Sequence, residues 1–120
     1  MMKIKVADLY NLSLGLADLA DKELPISISL KIQRNQKAVS EELVSSDKVR
    51  QKIIKEHTEK KLDDGLVKLT PKGIEKMDEL MEQEIEIELQ DISLEELEGI
   101  SIKPKTLTQL KTILNENGAE

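Results

Sequence analysis

The sequence has no cysteine, no tryptophan and no phenylalanine, and only one tyrosine and one histidine. Without cysteine there is no disulfide framework and no thiolate to act as nucleophile or metal ligand, a composition that suits a reducing cytoplasm. Without large aromatics the core must come from Leu, Ile, Val and Met, each contributing about 1.5–3 kcal/mol when fully buried. A chain of 120 residues, 35% charged and 38% hydrophobic, makes one domain of modest stability. Self-association would help it by burying further apolar surface. The missing aromatics also remove the platforms on which single-stranded bases stack, so nucleic acid is a disfavoured partner.

Long apolar runs are missing too. No window approaches the 18 apolar residues of a transmembrane helix, so no membrane association is expected. Met1-Met2-Lys3-Ile4-Lys5-Val6 lacks the apolar run of a signal peptide. The five glycines are scattered at 15, 65, 73, 99 and 118, leaving no glycine-rich phosphate loop, and neither GxSxG nor HExxH occurs. His57 has no second His or Cys to work with, so a surface or interface role is expected of it. No catalytic, cofactor-binding or metal-ligating residue is assigned.

What is present is an unequal distribution of charge. Residues 75–98 hold eleven Asp/Glu and one Lys, a local charge of −10 in a chain whose total is −6, so the rest carries +4. Inside this block Glu84-Ile85-Glu86-Ile87-Glu88-Leu89 alternates acid and aliphatic residues, the period of a half-buried strand. Lys3-Ile4-Lys5-Val6 alternates the same way with the opposite charge. Side by side, these segments would set Lys3 and Lys5 against Glu84, Glu86 or Glu88, each pair contributing about 0.2–1 kcal/mol and favouring one register. A row of carboxylates could also hold a hard cation or do acid–base work, but calcium sites use a loop with Asp/Asn ligands and a Gly turn, and no such loop is present.

Leu9, Leu12, Leu16 and Leu19 mark one stripe of a first helix, ended by the segment that runs to Pro25. Residues 26–61 contain neither Pro nor Gly. Ile26–Leu30 alone could be a strand, but Ile28, Ile32, Val39, Leu43, Val49, Ile53 and Ile54 continue on helical spacings. The reading is one long helix over 26–61, antiparallel to the first, with a break at Ser45-Ser46-Asp47 as the alternative. Such a helix extends about 50 Å at 1.5 Å per residue, further than the first helix can cover. Asp63-Asp64-Gly65 is a turn, Leu66–Leu69 a short strand, and Thr70-Pro71 opens a helix to about 83 with Ile74, Met77, Leu80 and Met81 as its apolar face. Ser93-Leu94-Glu95-Glu96 matches a capping box. Ile100 and Ile102 suggest a further strand. Leu107, Leu110, Ile113 and Leu114 mark a last helix, stopped at Asn117-Gly118. The fold class is α+β, a helical hairpin over about 7–61 with a small, mainly antiparallel sheet and short helices over 62–116, joined by an N-terminal strand at 2–6.

The long helix is the candidate interaction surface. Lys31, Arg34, Lys37 and Arg50 give it a basic character, and Val39, Leu43, Val49 and Ile53 supply apolar contact. Residues 31–61 carry nine Lys/Arg against five Asp/Glu. Such a face suits phosphate or an acidic partner.

Leu24-Pro25-Ile26 opening a long charged helix, Arg34-Asn35 within it, the segment Glu59–Gly65, Glu84-Ile85-Glu86-Ile87 and the run Ser93–Ile100 together resemble small proteins of no assigned role encoded by phages and prophages of low-GC bacteria. The resemblance spans much of the chain and implies a phage accessory or morphogenesis-linked protein in the host cell cytoplasm. The leading functional reading is a non-enzymatic protein acting by protein–protein interaction, with itself (a homo-oligomer) and with a phage or host protein. Two others stand beside it: an anti-defence protein that sequesters a host effector or signalling nucleotide, and a carboxylate-based metal-dependent enzyme.

Overall fold

The computed structural model describes residues 2–115. Its elements are β1 (Met2–Lys5), α1 (Val6–Ala20), α2 (Ile26–His57), β2 (Thr58–Lys61), β3 (Val67–Leu69), α3 (Pro71–Glu82), β4 (Glu84–Ile87), β5 (Ile92–Ser93), a 3-10 turn at Glu95–Leu97, α4 (Pro104–Gln109) and β6 (Leu114–Asn115). The fold is α+β, with a helical hairpin, α1 against α2, packed with small sheets. The strands form three two-stranded units: β1–β4 and β2–β3 are antiparallel, and β5–β6 is parallel.

The leucine stripe of α1 is the centre of the core. Leu9, Leu12, Leu16 and Leu19 have no accessible surface and pack with Ile28, Ile32 and Val39 of α2. Ile4, Ile87 and Ile92 of the strands, Leu97 of the 3-10 turn, and Leu110 and Ile113 after α4 complete this cluster. A smaller cluster of Val6, Ile53 and Leu80 joins α1, α2 and α3, with Met77 and Met81 half-buried beside it. Ile74, expected on the same apolar face, is 52% exposed instead.

β1 and β4 meet in the register that charge matching favours, with Lys3 opposite Glu86 and Lys5 opposite Glu84. Ile4 opposite Ile85 and Met2 opposite Ile87 turn the aliphatic side inward. The close ion pair that forms is Lys5 with Glu82, the last residue of α3, at 2.8 Å.

The long helix is unbroken at Ser45–Asp47. Ser46 faces inward and is buried, and Asp47 accepts a hydrogen bond from Tyr10 across the hairpin. It ends at His57 rather than at residue 61. The Thr58 hydroxyl turns back to the Ile54 carbonyl, and Thr58–Lys61 pairs with β3 instead. The connecting turn has Gly65 at φ 84°, a left-handed conformation that favours glycine, and Asp64 Oδ1 accepts from the Leu66 N–H at 3.1 Å. Thr70 caps α3 through its hydroxyl, which accepts from the Gly73 N–H.

Two C-terminal expectations need correction. Ile100 and Ile102 form no strand; both pack partly buried against the core. Leu107, Leu110, Ile113 and Leu114 do not lie on one helix, because α4 stops at Gln109. The Ile92 N–H donates to the Ile113 carbonyl, drawing the chain into β5–β6 pairing. The expected stop at Asn117-Gly118 lies outside the described residues.

Candidate interaction surface

Helix α2 sorts its residues by face. Ile28, Ile32, Asn35, Val39, Ser46 and Ile53 are buried by the chain's own elements. Val39 and Ile53 therefore belong to the two apolar clusters and leave the expected surface. Leu43 is half-buried against the larger cluster. Lys31 is tied down: its ammonium donates to both Glu96 carboxylate oxygens at 3.0 Å and to the Asp91 carbonyl at 3.2 Å. Arg50 is half-buried near the Tyr10 hydroxyl, and Tyr10, Arg50 and Met81 line one shallow cleft. Only Arg34, Lys37 and Val49 of the eight expected residues are exposed.

The outward face is a different set. Ile26, Leu30, Arg34, Lys37, Glu41, Val44 and Lys48 recur at separations of four, four, three, four, three and four residues. At about 100° per residue this spacing keeps them on one stripe, which runs about 33 Å along the axis. All seven are exposed, including Ile26 at 80%, Leu30 at 49% and Val44 at 56%. Among the described residues no ion pair reaches Arg34, Lys37, Glu41 or Lys48. Sequence reading missed Ile26, Leu30, Glu41 and Val44 because it placed the apolar part of the surface on the stripe through Val39, Leu43, Val49 and Ile53. The apolar residues in fact divide between two faces.

Beside the stripe, an open groove of about 540 Å³ separates α2 from α3. Val49, Ile53 and Leu80 supply apolar surface there, and Lys52, Glu56, Lys76 and Glu79 add charges of both signs. A smaller cleft of about 320 Å³ lies between α1 and the α4 region, with Asp8, Asn11, Lys105, Thr108 and Lys111 in its lining.

The polar groups of the interior serve the fold. Asn35, buried in the stripe of Ile28, Ile32 and Val39, donates to the Gln90 carbonyl at 2.9 Å and accepts from the Gln90 N–H at 2.8 Å. The Ser93 N–H donates to Glu96 Oε1 at 3.0 Å, and the Glu96 N–H donates to the Ser93 hydroxyl at 3.2 Å, completing the capping box. Those contacts, the Ser93 backbone N–H first and then the Lys31 ammonium, hold the Glu96 carboxyl below its usual range against an opposing effect of burial. Burial, then the hydrogen bond to Asp47, pushes the Tyr10 phenol up to about 12.

His57 is half-buried at the α2–β2 junction. A Cβ on Gly73 would lie 2.6 Å from the His57 Cβ, and the His57 carbonyl accepts from the Thr70 N–H at 2.8 Å. Among the described residues no group of three or more His, Cys, Asp or Glu is placed to hold a metal ion, and no helix is long and apolar enough to cross a membrane. No protein-family model, curated protein or solved structure matches the chain.

Proposed function

We propose that the protein is non-enzymatic and acts by protein–protein interaction, its own copies included, through the outward face of α2. The observation that carries this reading is the stripe itself. Three aliphatic side chains and four charges lie along one helix face, and among the described residues no other element packs over them. The sequence resemblance supplies the setting, a phage accessory or morphogenesis-linked role in the host cytoplasm. Light scattering and sedimentation at high micromolar concentration test the reading. The expected result is a mass above that of the monomer; a strict monomer that also retains no protein from infected-cell extract counts against it.

The cleft beside α1 favours a second reading, sequestration of a small anionic host factor such as a signalling nucleotide. Lys105 and Lys111 would meet the charge, and Asn11 and Thr108 would offer hydrogen bonds. A thermal-shift screen with cyclic nucleotides tests it, and an unchanged melting temperature with every nucleotide removes it.

A further inference from the structure

The stripe on α2 reads in reverse about Lys37. Leu30 and Val44 lie seven residues to either side of it, Ile26 and Lys48 eleven residues to either side, and Arg34 and Glu41 three and four. We propose that the partner of this face is a second copy of the chain, packed antiparallel, α2 against α2, with a two-fold axis at Lys37. The proposal rests on the interaction reading above and gives it an occupant and a geometry.

In that arrangement Leu30 meets the partner's Val44, and Arg34 meets the partner's Glu41. Ile26 lies along the aliphatic stem of the partner's Lys48. Two-fold symmetry makes each of these contacts twice. A parallel pair would instead set every residue against its own copy: Arg34 on Arg34, Glu41 on Glu41, Lys48 on Lys48. Like charges face each other at each of those positions, so charge selects the antiparallel arrangement. The separations of four and three along the stripe are those of a helix–helix seam. Only Lys37 faces its own copy across the axis. It is exposed, so its ammonium swings to the rim, where Glu41 lies one turn away. The seam is mostly polar, which fixes orientation more than affinity and gives a weak, salt-sensitive dimer.

The absence of cysteine makes the test direct, because an introduced thiol is the only one in the chain. With full-length protein under mild oxidation, Lys37→Cys is expected to cross-link as a dimer and Leu30→Cys to stay uncross-linked. The double variant Leu30→Cys/Val44→Cys is expected to cross-link again. In sedimentation at low salt, Glu41→Arg should weaken the dimer about ten-fold and Arg34→Glu/Glu41→Arg should restore it. Lys37→Leu should tighten it about ten-fold. All these positions are exposed, so melting of the dilute monomer should be unchanged. Cross-linking of Leu30→Cys alone, or no rescue by the double charge swap, overturns the antiparallel geometry while leaving self-association standing. A monomer at every concentration, in the parent and in Lys37→Leu, overturns both.

Discussion

The Asn35 carboxamide and the backbone of Gln90 pair donor to acceptor in both directions, at 2.9 Å and 2.8 Å. The pair ties the inner face of α2 to the segment between β4 and β5. Replacing Asn35 by Leu leaves a backbone N–H and a C=O without their partners in a partly buried place. At about 1–3 kcal/mol for each orphaned group, reduced because Gln90 is only half-buried, the expected loss is about 2–4 kcal/mol, read as the midpoint of urea unfolding. Asn35→Asp keeps the acceptor but turns a carboxylate oxygen on the Gln90 carbonyl. Its deficit relative to the parent should therefore shrink as pH falls and the new side chain is protonated to become a donor.

Tyr10 reports on the hairpin. Its hydroxyl reaches Asp47 at 2.5 Å, and burial and this bond hold its pKa at about 12, above its ordinary value of 10.0. The folded state thus keeps the proton longer than the unfolded chain does. The associated stability is fully present below pH 10 and drains away as pH climbs toward about 12. Because Tyr10 is the only tyrosine and tryptophan is absent, phenolate absorbance follows this one group. Tyr10→Phe should cost about 1–2 kcal/mol at neutral pH and flatten the alkaline limb of the stability curve.

Glu96 gives the opposite slope. Its carboxyl titrates below the ordinary value of 4.5 because the Ser93 N–H and then Lys31 hold the charged form. The stabilisation is therefore present above that value and is lost as pH falls through the lowered one. Glu96→Gln should lower stability at pH 7 by about 1 kcal/mol and make unfolding less sensitive to acid, measured by circular dichroism in urea at several pH values.

Gly15 sits mid-helix, where alanine would ordinarily add up to about 1 kcal/mol. Here the sign should reverse. An added Cβ would fall 2.9 Å from the Leu110 Cγ and Cδ2 and 3.0 Å from the Gln109 Cβ. Gly15→Ala is expected to destabilise by about 1–3 kcal/mol, and Gly15→Ala/Leu110→Ala should lose less than the two single variants summed.

The sequence made some of these features legible and hid others, for physical reasons. The period-two alternation of Lys3–Val6 and Glu84–Leu89 predicted the strands, although Val6 already opens α1 and β4 stops at Ile87, and their opposite charges predicted the register. The leucines of α1 predicted one apolar stripe on a first helix, and that stripe is the centre of the core. The end of α2 was hidden, because Thr58–Lys61 carries no Pro or Gly and only its pairing with β3 overrides helix continuation. α4 was misread as longer for a similar reason: its apolar periodicity continues past Gln109, where pairing with Ile92 takes over. Asn35 did leave a signal, since the spacing of Ile28, Ile32, Asn35 and Val39 places a polar side chain inside an apolar stripe. Its partner is a backbone, which no side-chain pattern encodes. Val39 and Ile53 share the helix with Val44 and Val49, and a one-dimensional pattern of aliphatics does not say which are covered.

The register that joins Met2–Lys5 to Glu84–Ile87 also sets a timetable. Met2–Lys5 leaves the ribosome before its partner, and residues 6–83 lie between them. During synthesis, α1 and α2 have local partners and can close on each other as soon as both have emerged. The Lys3-Ile4-Lys5 segment has none until residue 87 is out. Through that interval its lysines work against pairing with another edge, and the acidic strand, when it emerges, finds its complement already in place.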